Sequence, residues 1–71
     1  MLKIAILGGT GKEGSGLGFR WAAKGHEVLI GSRSAERAQA AAAEMQAELP
    51  EATISGGDNA AVSEAADVVV L

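Results

Sequence analysis

At 71 residues and a formal net charge of −3, the chain is one compact unit at most, with no general attraction to nucleic acid or to an anionic membrane. The absence of cysteine excludes disulfides and thiol chemistry, and a single histidine argues against a metal site. A domain of this size buries only about 60% of the surface its unfolded chain exposes, and much of the 48% apolar content here is alanine, so stability is marginal.

The apolar run over residues 2–7 reads as a buried strand. It starts without a signal-peptide pattern, and no apolar run reaches the roughly eighteen residues of a membrane span, so a cytoplasmic protein is expected. The strand runs into Gly8-Gly9-Thr10-Gly11-Lys12-Glu13-Gly14-Ser15-Gly16, and residues 17–24 read as a helix with Leu17, Gly18, Trp21 and Ala22 on one face. Gly9, Gly11 and Gly14 spell G-x-G-x-x-G inside a strand-turn-helix unit, the context in which that motif means dinucleotide binding. Gly9 permits the tight turn, Gly11 lets backbone approach a pyrophosphate, and Gly14 lets the helix lie close on the strand. The helix start then offers N–H groups and a positive dipole end to the anion.

Gly25 caps the first helix, and residues 27–30 form a second strand followed by a turn at residues 31–34. His26, at the start of that strand, and Trp21, on the helix stripe, read as structural residues. Ser34 is the expected N-cap of a helix over residues 35–49, with Glu36 in its first turn and Pro50 as its stop. Ala38, Ala41, Ala42, Met45 and Leu49 give that helix a narrow stripe of mostly small side chains, suited to close contact with a sheet. A short strand at residues 52–55, a turn and cap at 56–59, a short helix at 60–66 and a strand at 67–71 follow. Asp58 reads as a cap and Asp67 as a strand-entry residue.

Strand and helix alternating in this way predict an α/β fold, the N-terminal half of a Rossmann-type doubly wound parallel sheet with strand order 3-2-1-4. Its ligand crevice lies between the first and fourth strands, above their carboxyl ends. A complete dinucleotide fold has a second half, so residues 1–71 read as the N-terminal fragment of a longer domain. In isolation, such a fragment is expected to self-associate through its open sheet edge and to be inactive.

The end of the second strand decides which dinucleotide is expected. An NAD site places an acidic residue there, about twenty residues on from the glycine loop, whereas an NADP site has an arginine nearby. Here the residues are Gly31-Ser32-Arg33, with Arg37 one helical turn further. Arg33 can clamp a 2′-phosphate through paired N–H donors and the Ser32 hydroxyl adds another, so NADP is favoured over NAD. A phosphate loop of the G-x-x-x-x-G-K-[ST] kind fits worse, because Ser15 follows Gly14. A kinase loop belongs in a hairpin, and a methyltransferase would need the missing acidic residue. No side chain stands out as a general acid or base, which suits hydride transfer, where the cofactor supplies the chemistry and the protein the alignment.

Gly8-Gly9-Thr10-Gly11 with Gly14, Gly25-His26-Glu27-Val28, Ile30-Gly31-Ser32-Arg33 and Glu64-Ala65-Ala66-Asp67 before a valine-rich strand together resemble the F420-dependent NADP reductase family. The resemblance runs in order over essentially the whole chain. It implies an oxidoreductase that transfers a hydride between reduced coenzyme F420 and NADP, with NADP(H) on this N-terminal Rossmann domain and no nucleic-acid or membrane partner; a homo-oligomer is compatible with it. Carried over by position, Thr10, Ser32, Arg33 and Arg37 would surround the 2′-phosphate, while Gly11, Lys12 and Glu13 would line the glycine loop near the pyrophosphate. The family often has lysine where this chain has Arg37, and a small or apolar pair where it has Lys12-Glu13. Most of the deazaflavin half of the site would come from residues beyond position 71.

The resemblance leaves open an NADPH-dependent reductase of another acceptor, since the same N-terminal domain recurs in relatives of that kind, and the overlapping pattern Gly8-x-x-Gly11-x-x-Gly14 supports an atypical short-chain dehydrogenase-like module that senses NADPH without catalysis.

Overall fold

The computed structural model describes residues 2–8 and 11–71, with residues 12 and 13 described by their backbone alone. The chain alternates β1 (Lys3–Leu7), α1 (Lys12–Ala23), β2 (Glu27–Ser32), α2 (Ala35–Glu48), β3 (Thr53–Asp58), α3 (Asn59–Ala65) and β4 (Val68–Val70). The strands form one parallel sheet in the order β3-β2-β1-β4, as the alternation predicts.

The period of two along each strand sends side chains to opposite faces of the sheet. Ile4, Ile6, Val28, Ile30 and Ile54 meet Ala22 of α1 and Ala38, Ala42 and Met45 of α2, while Ala5 and Leu29 meet Val62 of α3 on the other face. Val28 and Ile30 are wholly buried, and burying an aliphatic side chain of that size contributes about 1.5–3 kcal/mol. The stripe expected on α2 is the face that packs on the sheet, and Trp21 is a half-buried neighbour of the same core.

Several boundaries differ from the sequence expectation, most of them by a single residue, and four bear on the site. Helix α1 begins at Lys12, five residues before Leu17, so Gly14, Gly16 and Gly18 lie inside it. Glycine is a poor helix former, but tertiary contact outweighs propensity: a Cβ at Gly18 would lie 2.7 Å from Met45 Cε and 3.5 Å from Ile6 Cδ1. Strand β2 continues through Gly31 and Ser32, which are therefore not part of a turn. Strand β3 likewise runs on through Gly56 and Gly57 to Asp58, where a turn was expected, pairing Ile30 with Gly56 and Ser32 with Asp58. Gly56 is where α2 crosses the strand, and a Cβ there would run into the Ala38 carbonyl. Helix α3 in turn starts one residue early, at Asn59.

The helix ends follow their capping residues. Ser34 Oγ accepts from the Arg37 N–H at 3.3 Å, and Asp58 Oδ1 accepts from the Ala61 N–H at 2.9 Å. Helix α1 closes in a Schellman motif: Gly25, at φ 95°, donates to the Ala22 carbonyl and His26 donates to Trp21. His26 Nδ1 accepts from the Leu2 N–H at 3.2 Å, a structural role at the amino end of the sheet. Asp67 ties the entry of β4 to β1, its carboxylate accepting from the Lys3 N–H at 2.9 Å and its own N–H donating to the Lys3 carbonyl at 2.8 Å. No helix among the described residues is long and apolar enough to cross a membrane.

Candidate functional site

The carboxyl ends of the parallel strands all point to one edge, and two adjoining hollows open there. Gly8 lines both. At φ +72° it takes a left-handed backbone that a side chain would strain, its N–H donates to the Gly31 carbonyl at 2.9 Å, and its own carbonyl accepts from Gly11. The first bond continues the β1–β2 pairing past Leu7, and the second ties the start of α1 to the end of β1.

The first hollow, about 440 Å³, lies at the β1–β4 crevice, with Leu7, Gly8, Gly11 and Gly14 on one side and Val70 and Leu71 on the other. It occupies the topological switch point of the sheet. Gly11 is the N-cap of α1 at φ −81° and ψ 168°, a backbone any residue adopts, and among the described residues a Cβ there would meet nothing nearer than the Gly8 carbonyl at 3.9 Å. Neither its backbone nor its contacts among the described residues therefore demand glycine at position 11. What the missing side chain leaves is free approach to the backbone at a helix start, which suits a phosphate group.

The second hollow, about 320 Å³, is lined by Gly8, Ser32, Arg33, Ser34, Arg37 and Asn59. Strand β2 carries Ser32 to the rim, the connection to α2 supplies Arg33 and Ser34, and the first turn of α2 supplies Arg37. Both arginines are exposed, and Ser32 is half-buried. Ser32 Oγ accepts from the Ser34 N–H at 3.3 Å and keeps its hydroxyl hydrogen to give. Two guanidinium groups and two hydroxyls around one cavity form a site for a multiply charged anion, and arginine matches a phosphate through paired donors.

Of the residues singled out in the sequence, Ser32, Arg33 and Arg37 thus meet in one hollow and Gly11 and Gly14 in the next. Gly9 and Thr10 lie outside the described residues, as do the side chains of Lys12 and Glu13, whose backbone opens α1. Three residues lining the second hollow were missed as site residues: Gly8, read only as part of the glycine stretch, Ser34, read only as a cap, and Asn59, assigned to a turn. The signal for Asn59 is the register of β3. Once that strand runs to Asp58 opposite Ser32, the next residue stands level with the end of β2.

Residues 3–71 match the family described as NADP oxidoreductase coenzyme F420-dependent. The chain belongs to that family. The F420-dependent NADP reductase of Methanothermobacter marburgensis is 47% identical over 72 residues, an alignment covering 99% of this chain and 32% of that protein. The protein of the same name from Methanothermobacter thermautotrophicus is 45% identical over 73 residues, covering 100% of this chain and 32% of its own length. The one from Methanocaldococcus jannaschii is 45% identical over 74 residues, covering 99% and 33%. The chain thus spans about a third of the length of the curated relatives it matches.

Proposed function

We propose that this chain is the NADP(H)-binding, N-terminal part of a cytoplasmic oxidoreductase that transfers a hydride between reduced coenzyme F420 and NADP. The observation that carries it is the cavity at the end of β2, where Ser32, Arg33 and Arg37 converge beside the glycine turn. The relatives' names support the same reading.

Both halves of the dinucleotide find suitable surroundings. Gly11 and Gly14 leave room for a pyrophosphate at the start of α1; Gly9 joins them by its place in the glycine motif, and Lys12 and Glu13 by resemblance. The fit is supported by Gly11, whose missing side chain opens the cleft without serving the backbone. Ser32, Arg33 and Arg37, joined by resemblance by Thr10, hold the 2′-phosphate, and no carboxylate among the described residues lines that hollow to repel it. When bound, the nicotinamide and the deazaflavin supply the hydride chemistry; this chain's residues bind, orient and select the nucleotide. None of them acts as acid or base in this scheme. The remainder of the site, including the deazaflavin half, belongs to a longer protein of which residues 1–71 are the N-terminal part.

Mixing the full-length protein with NADPH and oxidised F420 tests the activity directly. Parallel loss of absorbance by both chromophores is expected. Tight NADPH binding with no bleaching of F420 would reject the hydride partner while keeping the nucleotide assignment.

A further inference from the structure

We propose that Asn59 is a further specificity-determining residue, its side-chain amide donating to the 2′-phosphate from the wall formed by α3. The assignment rests on the NADP reading above and extends it to a residue outside β2 and α2. Asn59 lines the same hollow as Ser32, Arg33 and Arg37, and its Oδ1 is buried with no hydrogen-bond partner among the described residues. A buried acceptor without a donor costs free energy, and alanine at this position would avoid that cost.

The fold does not explain the amide. Asp58 caps α3 in its place, and the bond Asn59 does make to Ser63 is through its backbone carbonyl, at 2.7 Å. Instead, the side chain is held in a fixed seat. It lies over Gly31, where a Cβ would come within 2.8 Å of Oδ1 and 2.7 Å of Val62 Cγ2. Because the amide is planar, lodging Oδ1 in that seat leaves Nδ2 and its two hydrogens for the hollow. An oxygen turned outward would suit the arginines alone. A donor turned outward suits an anion lying between them and α3, and the seat fixes that donor before the ligand arrives.

The test compares Asn59→Ala, Asn59→Asp and Arg33→Ala in the full-length protein, by calorimetric titration with NADP and with NAD and by thermal melting without nucleotide. Asn59→Ala should melt no lower than wild type and bind NADP roughly tenfold more weakly, with NAD affinity unchanged. Asn59→Asp should lose more, because a carboxylate would face the phosphate. A lower ligand-free melting temperature with equal losses for both nucleotides would overturn the assignment, making Asn59 structural. So would unchanged NADP affinity in Asn59→Ala alongside a selective loss in Arg33→Ala, an outcome that leaves the NADP reading intact. Equal losses of NADP and NAD in Arg33→Ala would reject the NADP reading and this inference with it.

Discussion

Moving a carboxylate to the end of β2 is the obvious route from NADP to NAD, and the structure separates two positions for it that look equivalent in the sequence. At Gly31, a Cβ would lie 2.7 Å from Val62 Cγ2, 2.8 Å from Asn59 Oδ1 and 3.0 Å from Leu7 Cδ2, on a residue that is itself buried. Ordinary contacts begin near 3.5 Å. Gly31→Ala alone should therefore cost about 1–3 kcal/mol, the usual range for overfilling a packed site. Gly31→Asp adds a carboxylate facing the Asn59 carbonyl oxygen with no donor opposite it, and should unfold much of the population. Ser32 differs in two respects. It is half-buried at the rim, and its Oγ already accepts from the Ser34 N–H, a bond that an aspartate carboxylate can also accept. Ser32→Asp should keep the fold, repel the 2′-phosphate and offer an acceptor to the ribose hydroxyls, so preference should shift towards NAD. Urea unfolding followed by calorimetric titration of both variants with NADP and NAD decides the matter. A Gly31→Asp protein as stable as wild type, and switched in preference, would refute the steric account.

Arg33→Ala removes a charge-assisted contact of the kind worth about 1.5–3 kcal/mol, so NADP should bind roughly tenfold to a hundredfold more weakly while NAD changes little, as read by calorimetry. Arg37→Ala should cost less in the same assay, because salt screens a flexible, exposed charge. Gly11→Val should abolish NADPH binding in a fluorescence titration yet keep the circular dichroism spectrum, since the backbone at position 11 suits any residue and a Cβ meets no close neighbour among the described residues. Gln46→Leu should lower stability by about 1–3 kcal/mol in urea with nucleotide affinity unchanged, because the amide donates to the Leu49 and Ala52 carbonyls and accepts from the Ile54 N–H.

The strand order, the face that α2 presents and the clustering of Ser32, Arg33 and Arg37 could all be read from the sequence. Each depends on local periodicity plus the handedness of the crossover, and neither needs knowledge of distant partners. Boundaries were legible where a residue caps its own helix, as Ser34 and Gly25 do, and at the end of β1 and the start of β2, where the apolar runs stop and begin. Three boundaries at other glycines were misplaced by two residues or more: the start of α1 and the ends of β2 and β3. Glycine's lack of a side chain looks the same in sequence whether it serves a turn, a ligand or a neighbouring helix.

The structure assigns those glycines to different causes, and the assignment changes what the glycine loop and the β2 end mean. Gly8 is glycine for its backbone, Gly11 because its cleft is open, and Gly18 and Gly56 because α2 lies against them. Gly31 belongs to none of these groups: Val62 and Asn59 already fill the place of its side chain. An acidic residue is therefore absent at that point of β2 for a steric reason, independent of any arginine. Read from sequence, the missing carboxylate and the arrival of Arg33 are one signal for NADP. In three dimensions they are two, because α3 closes position 31 to a carboxylate while the β2–α2 connection supplies the positive charge. The same contact that shuts out the carboxylate seats the Asn59 amide oxygen, so the glycine at position 31 and the placement of that amide stand or fall together.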